Sequence, residues 1–313
     1  MEAVHYSVLK NEVLSYLKPS KPGELFIDCT TGEGGHSEAL LSAYPDIKLI
    51  CLDADKNILK VAEERLAPFK GRVQFCNTWF NRFFAEYPTR SPRPDKILFD
   101  LGISTYHYEK SGRGFSFRKD EPLSMELGSD LVVSAADMVN NYPAERLADI
   151  IYNYGEERYS RRIAKAIVEA RAEKAITTAA QLADVVYHAV PEGYRHGKIH
   201  PATRTFQALR IAVNGELERL GEALEKALAV LAPSGRIGVI TFHSLEDRIV
   251  KNFFRDKEKE CICPDSAPRC TCGRNHRVVN IITKKPVVPS DAEIAENAAS
   301  RSSKLRVAEK VAV

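Results

Sequence analysis

Short, unbroken apolar runs alternate with amphipathic stretches through the first hundred residues, and the period of each stretch predicts its element. The runs over 25–29, 47–52, 73–76 and 96–100 predict strands buried on both faces, and 36–43 and 56–67 predict the helices between them. An amphipathic helix precedes them, with Val8, Val13, Leu14 and Leu17 as its apolar face. Strands alternating with helices predict a parallel, doubly wound α/β sheet. After the fourth strand the alternation stops. From about Tyr106 the chain passes through a glycine-rich loop, Ser111-Gly112-Arg113-Gly114-Phe115-Ser116-Phe117, into helical periods that include 161–174 and 178–189. Thr178 with Gln181 predicts a capping box for the second of these. A helix over 214–231, a strand over 236–242, a helix over 245–255 and a closing strand pair at 278–283 and 304–308 complete the pattern. Two domains follow: residues 1–105 with 213–313 form the α/β core, and 106–212 form an all-α insertion between strands four and five.

Composition narrows the class. With 313 residues and 44% hydrophobic content the chain can bury a substantial core. Its longest apolar runs fall far short of the ~20 residues that a membrane helix needs, and residues 1–10 lack the layout of an export signal. A cytoplasmic protein without a membrane partner is expected, monomeric or homodimeric. The net charge is only +3, yet 155–210 holds ten Lys/Arg against six Asp/Glu and 248–285 holds ten against four. Two basic regions therefore sit on a nearly neutral whole. Seven cysteines in such a chain predict reduced thiols rather than a disulfide framework.

The chemistry concentrates where the first strand meets Thr30-Thr31-Gly32-Glu33-Gly34-Gly35-His36 and where the second strand ends on Asp53, 21 positions after Gly32. Glycines at such a turn let backbone approach a nucleotide-type ligand, and an acid at that distance accepts from a ribose. A dinucleotide fingerprint places a third glycine where Ser37 stands. S-adenosylmethionine has no pyrophosphate for the helix N-terminus to hold, so the incomplete fingerprint favours it over NAD. Asp28 reads equally well as a capping residue or a site residue, as does Asp55. Phe80 is placed to stack on or edge an adenine. Asp100-Leu101-Gly102-Ile103-Ser104 follows the fourth strand, where Asp100 and Ser104 are candidate catalytic acceptors for a substrate amine. The run Asp/Asn/Ser-Pro-Pro-Tyr/Phe of DNA amino-methyltransferases is absent. His243-Ser244 lacks triad spacing, and Ser244 with Asp247 reads as a helix N-cap. Cys261, Cys263, Cys270 and Cys272 offer four thiolates, but their C-x-C spacing departs from the usual C-x-x-C knuckle. A metal-free loop clamp is expected there.

Seven ordered blocks then carry a family resemblance. Asp28 to Ser37, Asp100 to Ser104, Arg113 to Phe117, Tyr154 to Arg158, His200 to Ile211, Phe242 to Lys251 and Ser302 to Arg306 together resemble the bacterial ribosomal small subunit methyltransferase H family over nearly the whole chain. The resemblance implies a Rossmann-like class I methyltransferase core with a helical insertion for substrate RNA. It implies S-adenosylmethionine-dependent methylation of N4 of a cytidine in the decoding region of 16S ribosomal RNA, within the small subunit. By motif, the cofactor residues are Gly34, Gly35, His36, Asp53, Phe80 and Asp100. His107 stands where the family writes the glutamine of Ser-Ser-Pro-Gln, after Tyr106 rather than proline. Ser124, Glu126 and Gly128 replace the charged positions of Leu-Asp-Met-Arg-Met-Asp. The alternatives are a divergent amino-methyltransferase of another RNA base and an RNA-binding scaffold with a vestigial cofactor site. An exposed or extruded base needs stacking platforms, for which Tyr106, Phe115 and Phe117 are candidates. Arg113, Arg118, Arg158, Arg161, Arg162 and Lys165 are candidate phosphate contacts.

Overall fold

The computed structural model describes residues 7–197, 199–264 and 269–312, so residues 1–6 of the stretch read for an export signal lie outside it. The chain folds as two compact units, one comprising residues up to Gly102 and from Leu217 onward, the other Ile103–Glu216.

In the first unit the strands are β1 (Leu25–Asp28), β2 (Lys48–Asp53), β3 (Val73–Asn77), β4 (Lys96–Asp100), β5 (Arg236–Thr241), β6 (Val279–Ile281) and β7 (Lys304–Lys310). They form one sheet in the order β3-β2-β1-β4-β5-β7-β6. Neighbours from β3 through β5 are parallel, and β7 runs antiparallel to both β5 and β6. Parallel neighbours need crossovers, which helices Gly35–Ala43 and Lys56–Arg65 supply on either side of β2. Side chains alternate across the sheet as strand geometry requires. Ile27, Leu52, Ile97, Phe99 and Val239 pack with Leu220, Leu224 and Phe254 on one face. Phe26, Leu49, Cys51, Leu98 and Ile240 pack with Val13, Leu17 and Leu40 on the other. The strand order reverses between β1 and β4. Ligands of open α/β sheets bind at the carboxyl ends beside such a switch point, which here are the ends carrying Asp28, Asp53 and Asp100.

The second unit is helical. Its core joins Ile151, Ile163, Ile167, Leu182, Val186 and Leu209, and the capping box of Thr178 and Gln181 forms as predicted. Both unit boundaries fall a few residues from those read in the sequence. Ser104 caps a helix at Thr105–Glu109 that periodicity did not reveal. At the other boundary, the helix expected over 214–231 begins at Glu216 because Gly215, at φ 57°, closes the preceding helix Ala202–Asn214. Two of the motif blocks hold each other here. A Cβ on Gly155 would lie 2.6 Å from the Arg204 carbonyl oxygen, Gln207 donates to the Tyr154 carbonyl at 3.1 Å and Arg204 to that of Glu156 at 3.2 Å. Glu157 is fully buried and accepts from the Tyr159 amide and the Tyr194 hydroxyl. Among the described residues no helix is long and apolar enough to cross a membrane.

Candidate active site

The glycine loop is built onto the end of β2. The Thr31 amide donates to the Leu52 carbonyl at 2.9 Å, and the Gly34 amide turns back to the Thr31 carbonyl at 2.8 Å. Gly34 sits at φ 83° with its α-carbon against Ala62, so a side chain there would be both strained and crowded. Asp53 fastens the loop from below. One carboxylate oxygen accepts from the Gly32 amide at 2.9 Å and the other from Asp55, also at 2.9 Å, while the residue keeps part of its surface open. Asp55 itself is buried and caps helix Lys56–Arg65 through the Asn57 amide, which settles it as a capping residue.

Asp28 is neither a cap nor a solvated turn. It is 1% exposed, and the Ser37 hydroxyl donates to it at 2.6 Å. The serine that interrupts the dinucleotide fingerprint thus supplies a buried hydrogen bond that glycine could not. Burial pushes the Asp28 carboxyl up to about 6, against the opposing hydrogen bond from Ser37. A carboxyl that binds its proton more tightly when folded stabilises the fold at low pH, and that contribution disappears as pH rises through about 6. We expect wild-type stability to lose about 2–3 kcal/mol from this group between about pH 4 and 7. Urea titrations of Asp28→Asn should lack that fall, and superimposable pH profiles for variant and wild type would contradict it.

At the end of β4 the Asp100 amide donates to the Thr30 hydroxyl at 2.7 Å, tying the first and fourth strand ends together. One Asp100 carboxylate oxygen lies 3.4 Å from His36 Nε2. The other is buried and has no hydrogen-bond partner among the described residues. Apart from the Asp100 contact, the nitrogens of the His36 ring, 5% exposed, have no hydrogen-bond partner among the described residues. Burial opposes the charged imidazolium, but the Asp100 carboxylate outweighs it and raises the His36 pKa. A buried polar atom without a partner is costly in a finished structure, so this cluster suits a hydrogen-bonding group from outside the described residues. The half-buried Phe80 ring meets Phe99 edge-on at 5.5 Å, presenting its remaining surface beyond β3.

These features fit one ligand. S-adenosylmethionine carries ribose hydroxyls that suit an acid such as Asp53 and an adenine that suits an aromatic ring such as Phe80. A family profile described as the MraW methylase family matches residues 2–311. The chain belongs to that family. Its sheet, parallel from β3 through β5 with β7 antiparallel beside β5, is the doubly wound α/β core that the sequence predicts. "Ribosomal RNA small subunit methyltransferase H" of Treponema denticola is 57% identical over 311 residues, covering 99% of this chain and 98% of that protein. The protein of the same name from Carboxydothermus hydrogenoformans is 46% identical over 312 residues, covering 99% of each. That of Syntrophotalea carbinolica is 47% identical over 306 residues, covering 96% of each.

Other members of the predicted set are placed differently. Ser104 spends its side chain on the Tyr106 amide as an N-cap. His107 is 4% exposed, edge-on to both Tyr106 and Phe115 within the helical unit. Phe115 is 5% exposed and belongs to that unit's core, so it does not serve as a stacking platform. Phe117 is half-buried, against His200 and Phe206. The N-cap assigned to Ser244 and Asp247 belongs instead to His243, which forms a capping box with Glu246. Asp247 faces β7, where Arg306 binds it at 2.7 Å and Lys304 lies at 3.5 Å. These cations outweigh burial and lower its pKa. Sequence reasoning looked for the cap at the polar residue nearest the helix and missed that histidine can accept in the same way.

Proposed function

We propose that this chain transfers a methyl group to ribosomal RNA, at N4 of a cytidine in the decoding region of 16S RNA within the small subunit. Identity of 57% across almost the full length of a protein named for small-subunit ribosomal RNA carries the RNA assignment. The buried oxygen of Asp100, unpartnered among the described residues, supports the chemistry.

Bound S-adenosylmethionine supplies an electrophilic methyl group on a sulfonium. The chain's own task is placement. Asp53 would hold the ribose, Phe80 would border the adenine, and Gly34, Gly35 and His36 would line the remainder of the cofactor's site. A cytosine amine is a weak nucleophile because its lone pair is delocalised into the ring, and it loses that delocalisation as the new bond forms. Asp100 accepts a hydrogen bond as positive charge develops, a contact that is stronger in the transition state than before it. The nitrogen becomes acidic only after attack, so no strong base is needed beforehand. Orientation of the two reactants supplies up to roughly 7–11 kcal/mol of the barrier reduction. No step is assigned to Ser104 or His107, whose local roles are cap and packing.

The helical unit supports an RNA substrate through its charge. Arg161, Arg162 and Lys165 are exposed along helix Ser160–Glu173, whose opposite face buries Ile163, Ala164 and Ile167. Arg158 instead lies over the Tyr159 and Tyr194 rings. The altered segment at Ser124 and Glu126 is internally engaged. The Ser124 hydroxyl donates to the Glu126 carboxylate at 2.5 Å, and Arg113 donates to the Glu126 carbonyl at 2.8 Å. The negative charge introduced at Glu126 is thus held by its own loop.

Incubating the protein with labelled S-adenosylmethionine and small subunits that lack the modification, then digesting the RNA for mass spectrometry, tests the reading. One N4-methylcytidine per 16S RNA is expected. A methyl group on a different nucleoside would remove the N4 assignment in favour of another base, and transfer to no ribosomal RNA would remove the substrate class.

A further inference from the structure

The four cysteines between helix Ser244–Glu258 and β6 are brought together by the fold. The segment leaves the helix and returns along a short ladder, in which the His276 amide donates to the Glu260 carbonyl at 3.1 Å and the Val278 amide to that of Lys257 at 2.8 Å. Beyond that ladder Cys261-Ile262-Cys263 faces Cys270-Thr271-Cys272. The sulfur of Cys261 is 3.5 Å from that of Cys270 and 3.6 Å from that of Cys272, and Cys270 and Cys272 are 3.5 Å apart. All four sulfurs lie within 4.8 Å of one another. Bonds of about 2.3 Å from a zinc ion to tetrahedral corners place sulfurs about 3.8 Å apart. The observed separations match that edge. They are far from the ~2.0 Å of a disulfide.

We propose that Cys261, Cys263, Cys270 and Cys272 form a structural zinc site with four thiolate ligands. The Thr271 amide donates to Cys263 Sγ at 3.3 Å. Gly273 at φ 81° and Arg274 at φ 53° make a left-handed turn directly after Cys272. Amide donors to the ligand sulfurs are the outer-shell support that metal thiolates use. The loop also lacks a core of its own. Its one large aliphatic side chain among the described residues, Ile262, is 62% exposed, so apolar burial does not account for the convergence. A loop that cannot bury apolar surface can be held by a metal instead. The C-x-C spacing, read from sequence against a metal, does not prevent this, because each pair contributes two corners from opposite sides of the loop. Four thiolates fill the zinc coordination sphere and leave no open position, as structural rather than catalytic sites do. On binding, the ion displaces the protons still carried by the thiols into solvent.

The test uses the full chain, expressed in zinc-containing medium and purified with a reductant and no chelator. Elemental analysis is expected to give one zinc per chain, and Cys261→Ser/Cys272→Ser is expected to give almost none while keeping the thermal shift produced by S-adenosylmethionine. Zinc well below half an equivalent in the wild type, an unchanged zinc content in the variant, or iron with labile sulfide would each overturn the proposal. Should the variant fail to fold, cobalt added to the metal-stripped wild-type protein decides the matter. Thiolate-to-cobalt charge transfer with tetrahedral d–d absorption supports the site, and its absence overturns it. Chelation is also expected to expose the bonds after Lys259, Arg269 and Arg274 to trypsin, with the rest of the chain resistant.

Discussion

Replacing Lys96 with methionine is expected to lower the free energy of unfolding by about 3–5 kcal/mol. Lys96 opens β4 and is 2% exposed, with its ammonium 3.2 Å from a carboxylate oxygen of Glu24, which is equally buried. The other Glu24 oxygen already accepts from the Ser20 and Lys21 amides. Without the lysine, a desolvated carboxylate would keep only those two neutral partners. For a chain of this size such a loss should lower the melting temperature by roughly 10 °C. Glu24→Gln/Lys96→Met should recover part of the loss, because it removes both charges rather than one. Urea titration is the measurement, and a cost below about 1 kcal/mol for the single variant would show that the pair is solvated in solution.

Removing the Asp53 carboxylate is expected to weaken S-adenosylmethionine binding by roughly 10- to 10²-fold. Each charge-assisted hydrogen bond to a ribose hydroxyl contributes about 1.5–3 kcal/mol, and about 1.4 kcal/mol corresponds to a factor of ten. The lower part of that range applies, because Asp53 remains partly open to solvent. Asp53→Ala also frees the Gly32 amide, so part of its effect is a looser loop. Asp53→Asn keeps one acceptor and the side-chain shape, and it should fall between wild type and the alanine variant. Calorimetric titration gives both constants. Values within threefold of wild type would remove Asp53 from the ribose site and with it the present placement of the cofactor.

Several parts of this molecule were legible because they depend on local pattern. Unbroken apolar runs marked β1, β2 and β4, since strands covered on both faces have no polar side to show. The stretch from Gly32 to Asp53 was legible because turn chemistry and one crossover fix the distance between them. Lys96 was not, since a lysine at a strand start reads as solvated until the register places it beside Phe26 and the fold brings Glu24 against it. Ser37 looked like a defect in a glycine motif, and only the buried Asp28 behind it gives it a purpose. Phe115 looked like an accessible aromatic in a glycine-rich loop. Its burial follows from the way the Arg113–Met125 segment folds back, with the Met125 amide bonded to the Arg113 carbonyl and Asn214 holding the Met125 carbonyl and the Leu127 amide.

The sequence alone determined the doubly wound sheet, the helical insertion, the glycine loop with its acid, and the family, because each rests on residues close in the chain or on ordered blocks of them. Tertiary structure decided which polar groups are buried and what they face. It put Asp100 beside His36 with one oxygen unpartnered among the described residues, paired Lys96 with Glu24, placed the helix cap at His243 and gathered four cysteine sulfurs within 4.8 Å of one another. Those outcomes depend on contacts between residues far apart in the chain, where the cost of burying a polar group is met or left open by a partner that no local pattern names.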